Sequence, residues 1–476
     1  MNQRLPARGN AVPFTTRRPR VDPERYDKLQ QLRLEGPEPF PDVHLRSRSL
    51  AATIYASHDP RTLDPGEHLS WRYTVAGRLV ARRKHRHATF FDLRDQSGVV
   101  ELCARRDQPT HADSMQLLGA NIGDILAAEG TVYVTDNHRL ALSVLASRLL
   151  TKALRPPPTR TNGITTTGAG SHQREPELLA NKQARVRVIA RSELTATARD
   201  WMRQNLFLEV SSSAPSRLHL RRCLLSGLER VYELKRCFGS DNSQVDGADA
   251  TTLAWSAAYI DCKESARQIE TLIQRAAASI APDMRVSSQG RSIDLRGPWR
   301  STTVRQGILE QTGIDILAAD ANAIARHLPS SVPAAESSWA SLVNQLYAQL
   351  LEPKLIEPTI VYDFPLAARA LVRRHPVHRD LADCFRVVIG GAEVARGDSE
   401  LNDPEELWAR VNAGRDSSPG GHGPAAAYQE EEVRLLEYGL FPAASAQVQL
   451  ERLLLLLTGN DTMQDAVPLR LLTDSR

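Results

Sequence analysis

Five short segments between residues 71 and 150 constrain the fold of this chain more than any other feature. Each combines β-branched or aromatic residues with turn-forming neighbours: WRYTVAGRLVARR, ATFFDLRD, GVVELCARR, DILAAEGTVYVT and RLALSVLASRLL. Five short strands separated by turns are typical of a small closed barrel of the OB-fold type. We predict that residues 23–155 form such a unit, which begins with a helix over residues 25–35 and ends at LLTKALRPPP.

The remainder of the chain predicts three further regions. Residues 1–22 are basic and lack an apolar run, so we predict a disordered tail rather than a secretory signal. Residues 156–176 are rich in Thr, Gly and Ser, which predicts a linker. From 177 to 476 a long amphipathic helix precedes strands and helices that show no βαβ rhythm. That pattern predicts an α+β domain on an antiparallel sheet.

The bulk composition excludes several classes of protein. The sequence has no run of about eighteen apolar residues, so we expect no membrane contact and a cytoplasmic location. The five cysteines are scattered without zinc-like spacing, and the 13 histidines form no HExxH motif, so we predict no new metal site. A net charge of +4 is too small to establish a nucleic-acid partner.

Four segments together resemble a known family in order and spacing: VAGRLVARR (75–83), LLTKALRP (149–156), VIGGAEVARGDSELND (388–403) and LEYGLFP (436–442). The chain resembles the class II lysyl-tRNA synthetases from about Tyr26 to Leu472. The resemblance implies an OB-fold that binds the tRNA anticodon and an antiparallel-sheet domain that forms lysyl-adenylate from ATP with magnesium. It also implies a homodimer.

The nucleotide-binding positions implied by this resemblance have changed. The arginine of the second signature motif, which holds the ATP α-phosphate, aligns with Gly239, and a following glutamate aligns with Asp241. Three glycines of the third motif have other residues at their positions: Ser445, Gln447 and Gln449. Glycine serves where a ligand must approach the backbone closely, so we expect the glutamine side chains to enter the adenine slot. Arg452 keeps its position, and could contact a phosphate or form an ion pair.

The family's magnesium site has also changed. The second of its two glutamates remains as Glu393, whereas the first aligns with Arg386. Magnesium prefers carboxylate and water oxygens, so we predict no metal here. We predict instead a salt bridge from Arg386 to Glu393 or Glu400, in the hairpin FRVVIGGAEVARG with Gly390 and Gly391 at or near its turn.

The lysine-binding positions leave two interpretations open. Glu400 keeps the position that contacts the lysine ammonium, whereas Arg217, Ala254 and Ser213 replace the family's other residues near the amino acid. In one interpretation Glu393 and Glu400 retain a residual substrate site. In the other, which we favour, the two glutamates pair with Arg386 and Arg396.

The predicted barrel keeps part of the anticodon-binding surface. Phe90 occupies an aromatic position that stacks on a base, whereas Glu101 and Arg139 stand where the family has glutamine and glutamate. Arg78, Arg82 and Arg83 supply a basic surface for RNA. The alternatives are that Phe90 belongs to the barrel core and that the basic run is a solvated turn.

Three functional hypotheses remain open at this stage. The first is a pseudoenzyme that cannot form lysyl-adenylate, uses neither ATP nor magnesium, and retains an RNA- or protein-binding role. The second is an active enzyme, either an ATP-dependent ligase for another amino acid or small molecule, or a lysine–tRNA ligase with residual activity. The third is a decaying gene product. The expected partners are tRNA or another RNA, and a second copy of the chain.

Overall fold

The computed structural model describes residues 21–45, 47–86, 88–105, 115–157, 179, 182–211, 216–237, 250–328, 338–367, 369–416 and 424–459. The chain forms two compact units, residues 1–169 with 175–180, and residues 170–174 with 181–476. The predicted tail and linker lie almost entirely outside the described residues, so their boundaries stay predictions.

The first unit is a closed five-stranded barrel. Its strands, in the described residues, are β1 (His68–Lys84), β2 (Ala88–Arg94), β3 (Val99–Arg105), β4 (Ile125–Val134) and β5 (Leu140–Thr151). They pair in the order β1-β2-β3-β5-β4, with β4 returning to β1. The long β1 pairs with β4 through its first half and with β2 through its second half, which closes the sheet on itself. The predicted OB-fold is confirmed.

In the described part of this unit, three helices accompany the barrel: α1 (Pro23–Glu35), α2 (Ala51–Ser57) and α3 (Met115–Gly119). The Asp22 side chain accepts hydrogen bonds from two backbone N–H groups of α1, which caps the helix at its predicted position. Side chains from alternate strand positions fill the interior, with Leu79, Phe91 and Leu102 fully buried.

The second unit combines helices with a large sheet. Its helices, among the described residues, are α4 (Lys182–Gln204), α5 (Ser216–Leu225), α6 (Cys262–Ile280), α7 (Val304–Thr312), α8 (Ala321–Ala325), α9 (Trp339–Leu346), α10 (Pro404–Asp416), α11 (Pro424–Glu437) and α12 (Leu450–Thr458). A π-helical turn, Tyr347–Leu351, and a 3-10 turn, Glu352–Lys354, continue α9. Asp261 caps α6, so the predicted strand AAYIDC ends at Ala258.

The strands of this unit are β6 (Leu208–Glu209), β7 (Arg230–Cys237), β8 (Ala250–Ala258), β9 (Arg285–Ser288), β10 (Arg291–Asp294), β11 (Arg300–Thr303), β12 (Thr359–Tyr362), β13 (Cys384–Ile389), β14 (Ala392–Ser399) and β15 (Ala443–Gln449). In the described part of the chain they form a β9–β10 pair and an eight-stranded sheet in the order β11-β12-β13-β14-β15-β8-β7-β6.

The large sheet differs from the prediction at its two edges. The six central strands are antiparallel as predicted, whereas β11 pairs with β12, and β6 with β7, in parallel. Helices connect the partners of both parallel pairs, α5 between β6 and β7 and α7 to α9 between β11 and β12. A parallel pair requires such a crossover connection. The α+β class is confirmed, on a mixed sheet.

The two faces of the large sheet have different surroundings. Helices α4, α6 and α12 contribute to the main core, which contains Leu194, Trp255, Ile269 and Leu454. A smaller cluster includes Leu220 of α5, Ala254 of β8, Leu407 and Val411 of α10 and Leu436 of α11. No helix among the described residues is long and apolar enough to cross a membrane.

Candidate functional site

A cavity of about 500 Å³ lies where the central strands of the large sheet meet helices α5, α10 and α11. One cross-strand row of the sheet consists of Arg386, Arg396, Gln447 and Ala254. The next row consists of Cys384, Asp398, Ser445 and Ser256. Because residues two apart in a strand share a face, both rows point the same way, and all but Ser256 line the cavity.

The hairpin of β13 and β14 positions the predicted ion pair. Gly390 and Gly391 form its two-residue turn with φ of 66° and 79°, as a type I′ turn requires. A Cβ on Gly391 would come within 2.9 Å of the Pro353 carbonyl oxygen. Val387 pairs with Ala395, but the next residue, Val388, pairs with Glu393. One residue of β14 is therefore left over between these pairs and forms a β-bulge. The bulge brings Glu393 to the same face as Arg396.

Glu393 is buried and paired with two arginines. A nitrogen of the Arg386 guanidinium lies 3.1 Å from one carboxylate oxygen, and Nε of Arg396 donates to the other. The Arg386 guanidinium also lies over two aromatic rings, 4.5 Å from the centroid of Phe364 and 5.3 Å from that of Tyr347. The predicted salt bridge from Arg386 to Glu393 is confirmed, and the rings hold the cation in place.

The residues around Glu393 do not fit magnesium. A guanidinium occupies the place of the first carboxylate ligand, and both oxygens of Glu393 are engaged by arginines. The described residues contain no group of three or more His, Cys, Asp or Glu side chains that could hold a metal ion. Magnesium binding would require breaking both ion pairs of Glu393 in a buried place.

Glu400 has different partners from those predicted. Its carboxylate is fully buried, and pairs with Arg217 at 3.0 Å and with Arg221. The Ser445 hydroxyl donates to its second oxygen. The prediction that Glu400 pairs with Arg386 or Arg396 was therefore wrong, because the bulge places Glu393 on the face of those arginines, while Glu400 lies four residues beyond Arg396, next to α5. Arg217 and Arg221 are four residues apart and share one face of α5, a spacing that the sequence already contained.

A second acid–base pair lines the cavity beside Glu400. Arg217 donates two hydrogen bonds to Asp398, at 2.6 and 3.1 Å. Burial raises the pKa of Asp398 to about 6, although the Arg217 charge acts in the opposite direction. The neighbouring arginines lower the pKa of Glu400 despite its burial. Glu432 of α11 pairs with the far side of Arg221 at 3.1 Å.

The third-motif positions have separate roles. Ser445 and Gln447 line the cavity, as expected for residues that replace backbone-exposing glycines. Gln449 is not part of the lining, because it ends β15 and begins α12, so its expected entry into the slot was wrong. Arg452 donates to the Glu393 backbone carbonyl at 2.8 Å. Gly239, Asp241 and Ser213 lie outside the described residues.

The barrel has its own cavity, of about 330 Å³, on the strands predicted to contact RNA. It is lined by Tyr55, Pro60, Arg83, Asp92, Val99, Glu101, His138, Arg139 and Leu140. Arg83 donates to both oxygens of Asp92, at 2.7 and 2.9 Å, and to Glu101 at 2.7 Å. Glu101 and Arg139, the two changed base-recognition positions, therefore face one concave surface.

The other predicted RNA residues are placed differently from one another. Arg78 donates to the Gly123 carbonyl at 2.8 Å, and Arg82 donates to the Leu118 carbonyl at 2.7 Å while lying over the Phe91 ring. Arg78 therefore ties β1 to the loop before β4, and Arg82 ties it to α3. Phe91 belongs to the barrel core, whereas Phe90 lies half-buried on the outer face, edge-on to His85. The alternative that placed Phe90 in the core was wrong.

Comparison with known proteins agrees with both units. Residues 212–470 match the family model of class II tRNA synthetases (D, K and N), and residues 73–150 match the OB-fold nucleic acid binding domain. The chain is 30% identical over 486 residues to the lysine–tRNA ligase of Aeromonas hydrophila subsp. hydrophila. That match covers 93% of this chain and 94% of the relative. The chain belongs to the lysyl-tRNA synthetase family.

Relatives from other bacteria give the same result. The lysine–tRNA ligase of Carboxydothermus hydrogenoformans is 29% identical over 478 residues, with 93% of this chain and 96% of the relative covered. That of Salmonella arizonae is 30% identical over 480 residues, with 93% and 94% covered. The family assignment predicted from the sequence is confirmed, and so is the nucleic-acid-binding class of the barrel.

Proposed function

We propose that this protein is a lysyl-tRNA synthetase homologue that does not form lysyl-adenylate and acts instead by binding RNA through its barrel. The observation that carries the proposal is the Arg386 guanidinium, which is bonded to Glu393 in the cavity. Adenylate formation in this family needs ATP and magnesium. The residues around Glu393 do not supply the set of carboxylate oxygens that would hold a magnesium ion. The predicted absence of a cofactor stays a prediction.

The charges at the cavity where lysine would bind support the same proposal. Four carboxylates in or directly behind the cavity, Glu393, Asp398, Glu400 and Glu432, are each paired with an arginine. The two ammonium groups of lysine would have to displace guanidinium groups that are held by buried hydrogen bonds. Displacing such a partner costs several kcal/mol. We therefore expect the cavity to reject lysine.

The test is lysine-dependent exchange of pyrophosphate into ATP, with the Aeromonas hydrophila lysine–tRNA ligase as a positive control. We expect no exchange above background, because losing one positioned charge stabiliser typically costs about 10²–10³ in rate. Formation of lysyl-adenylate at micromolar enzyme would overturn the proposal. A panel of the other amino acids belongs in the same assay.

The open cavity supports a second candidate function. A volume of about 500 Å³ with polar groups on one wall is in the range of small-molecule sites. An ATP-dependent ligase for another amino acid would use such a space. Exchange driven by any amino acid other than lysine would favour this candidate over the first.

The RNA-binding part of the proposal rests on the barrel. Phe90 offers an aromatic face, and the cavity beside Arg83 and Arg139 offers two cations near the outer surface. Such groups attract phosphates and stack on bases without strong base preference. We propose tRNA or another RNA as the partner. Binding of a protein in place of RNA would be the alternative outcome.

We further propose a homodimer in the cytoplasm. Leu206 is 80% exposed and Leu208, on the edge strand β6, is 53% exposed, and Val186 and Ile189 of α4 are exposed as well. Exposed apolar groups at a sheet edge are typical of an interface. Sedimentation should give twice the chain mass of 52.7 kDa. A species of the single-chain mass alone would contradict the dimer.

A further inference from the structure

We propose that the class II cavity binds a small monocarboxylate with a short apolar chain, and that Arg369 receives its carboxylate group. This inference goes beyond the proposed function, because it concerns what the cavity binds rather than whether adenylate forms. It rests on one arginine of the cavity that forms no ion pair among the described residues, and on the apolar part of the cavity wall.

Arg369 differs from the other arginines of the cavity wall. Arg217, Arg386 and Arg396 each form an ion pair with a carboxylate. Arg369 donates to the Pro365 carbonyl at 2.7 Å and lies over the Phe364 ring at 5.4 Å. It has no carboxylate partner among the described residues. Its guanidinium therefore keeps free donors at the cavity wall.

The ion pairs of the neighbouring arginines leave Arg369 as the one arginine of the cavity lining, among the described residues, that pairs with no carboxylate. The arginines at 217, 221, 386 and 396 all pair with carboxylates, at 393, 398, 400 and 432. Burial lowers the pKa of Arg369, and the nearby Arg386 and Arg396 charges act in the same direction, whereas the Asp398 charge opposes them. A cation in a partly buried place is stabilised by a hydrogen-bonded anion. The structure provides the cation and leaves the anion to a ligand.

The shape and remaining charges of the cavity narrow the choice of anion. Part of its wall is apolar and consists of Leu220, Leu371, Val372, Leu407 and Val411. Asp398 and Glu432 also line the cavity, and would repel a second negative charge. A polyphosphate or a dicarboxylate is therefore disfavoured. A single carboxylate on a chain of a few methylene groups satisfies both the cation and the apolar wall.

The first experiment uses the wild-type full chain and three ligands of similar length. Isothermal titration calorimetry should show hexanoate binding with a dissociation constant of about 1 mM or tighter, given a charged hydrogen bond and several buried methylene groups. Hexylamine and L-lysine should bind at least about tenfold more weakly, a difference of about 1.4 kcal/mol. Equal binding of hexylamine, or no heat with hexanoate at about 10 mM, would overturn the proposal.

The second experiment compares two arginines of one segment. Arg369→Gln should weaken hexanoate binding about 10- to 100-fold, because a hydrogen bond to a charged group contributes about 1.5–3 kcal/mol. Arg373→Gln is the matched control, since Arg373 is exposed and is not part of the cavity lining. Equal loss in both variants would contradict the assignment. If a variant is unstable, the comparison of hexanoate with hexylamine and L-lysine on the wild-type chain still tests the proposal.

A competition arm separates this inference from the proposed function. ATP with magnesium should not displace hexanoate, and displacement would show that the cavity is a nucleotide site and overturn the inference. Hexanoate binding without any pyrophosphate exchange supports both proposals. Exchange with lysine would overturn the proposed function and, because it requires ATP and lysine in the cavity, the inference as well, whereas absence of hexanoate binding would overturn only the inference.

Discussion

Two clusters of paired charges, one in the barrel and one in the class II unit, differ in how their arginines meet solvent. The Arg83 side chain is 42% exposed beside Asp92 and Glu101. The Arg221 side chain is 1% exposed between Glu400 and Glu432. Exposed ion pairs contribute about 0–1 kcal/mol, whereas removing one partner of a buried pair costs about 3–5 kcal/mol.

This difference decides which region can exchange partners. An RNA phosphate can replace Asp92 or Glu101 at Arg83 with little loss of stability, because water already contacts the guanidinium. A ligand ammonium cannot replace Arg221 at Glu400 without leaving a buried charge unpaired. The barrel therefore has an adaptable surface, whereas the buried carboxylates of the class II unit hold its helices and sheet together.

The largest expected effect separates the two clusters directly. Arg221→Gln leaves Glu400 and Glu432 buried without their cation, and should lower the free energy of unfolding by about 3–5 kcal/mol. Arg83→Gln should lower it by less than about 1 kcal/mol. Chemical denaturation of both variants gives the comparison. Similar losses in the two would remove the distinction between structural and adaptable pairs.

A charge reversal in the hairpin sharpens the interpretation of Arg386. Arg386→Glu places a second carboxylate beside Glu393 and should destabilise the unit by about 3 kcal/mol. Magnesium chloride should recover part of the lost melting temperature, because two carboxylates restore the oxygen ligands that magnesium prefers. Arg373→Glu, on the exposed surface, is the control and should not respond. A comparable response of the wild type to magnesium would contradict the interpretation.

RNA binding tests the adaptable surface of the barrel. Phe90→Ala should weaken binding about 5- to 150-fold, since stacking on an aromatic side chain contributes about 1–3 kcal/mol per base. Binding should fall steeply with salt and should be equal for two tRNAs that differ only in the anticodon. Filter binding measures all three. A clear preference for the UUU anticodon would show that Glu101 and Arg139 still recognise bases.

The smallest effect concerns pH and the class II cavity. The groups around Asp398 are Arg217, Glu400 and Arg369, and its pKa is about 6. Raising the pH from about 5.5 to 7.5 ionises Asp398 and adds a negative charge, so hexanoate binding should weaken about threefold. Calorimetry at the two pH values tests this. Asp398→Asn should bind tightly at both, and a pH dependence that persists in this variant would exclude Asp398 as its source.

Local features could be predicted from the sequence, whereas long-range pairing could not. Arg386 and Glu393 lie seven residues apart on either side of two glycines. A hairpin that turns at the glycines brings them together, and this contact does not depend on distant parts of the chain. The partners of Glu400 lie about 180 residues earlier, on α5. The parallel sheet edges likewise depend on crossover helices, and not on the strand sequences.

The placement of Phe90 has a clear signal in the sequence. Phe90 lies on the same side of β2 as Asp92 and Arg94, whereas Phe91 lies on the other side together with Leu93. Period-two alternation therefore favours the outer face for Phe90 and the core for Phe91. The bulge in β14 has no such signal, and it alone decides that Arg396 meets Glu393.

The position of Trp255 has a practical consequence. Its ring is fully buried in the main core, and its Nε1–H donates to Gln268 of α6 at 3.1 Å, on the face of the sheet opposite to that of Ala254 and Ser256. Trp71 and Trp408 are, by contrast, 63% and 41% exposed. A soluble quencher such as acrylamide should therefore extinguish the emission of the exposed indoles first and leave a blue-shifted signal to which Trp255 contributes. The chain thus carries its own optical probe, through which unfolding of the main core can be followed without any label.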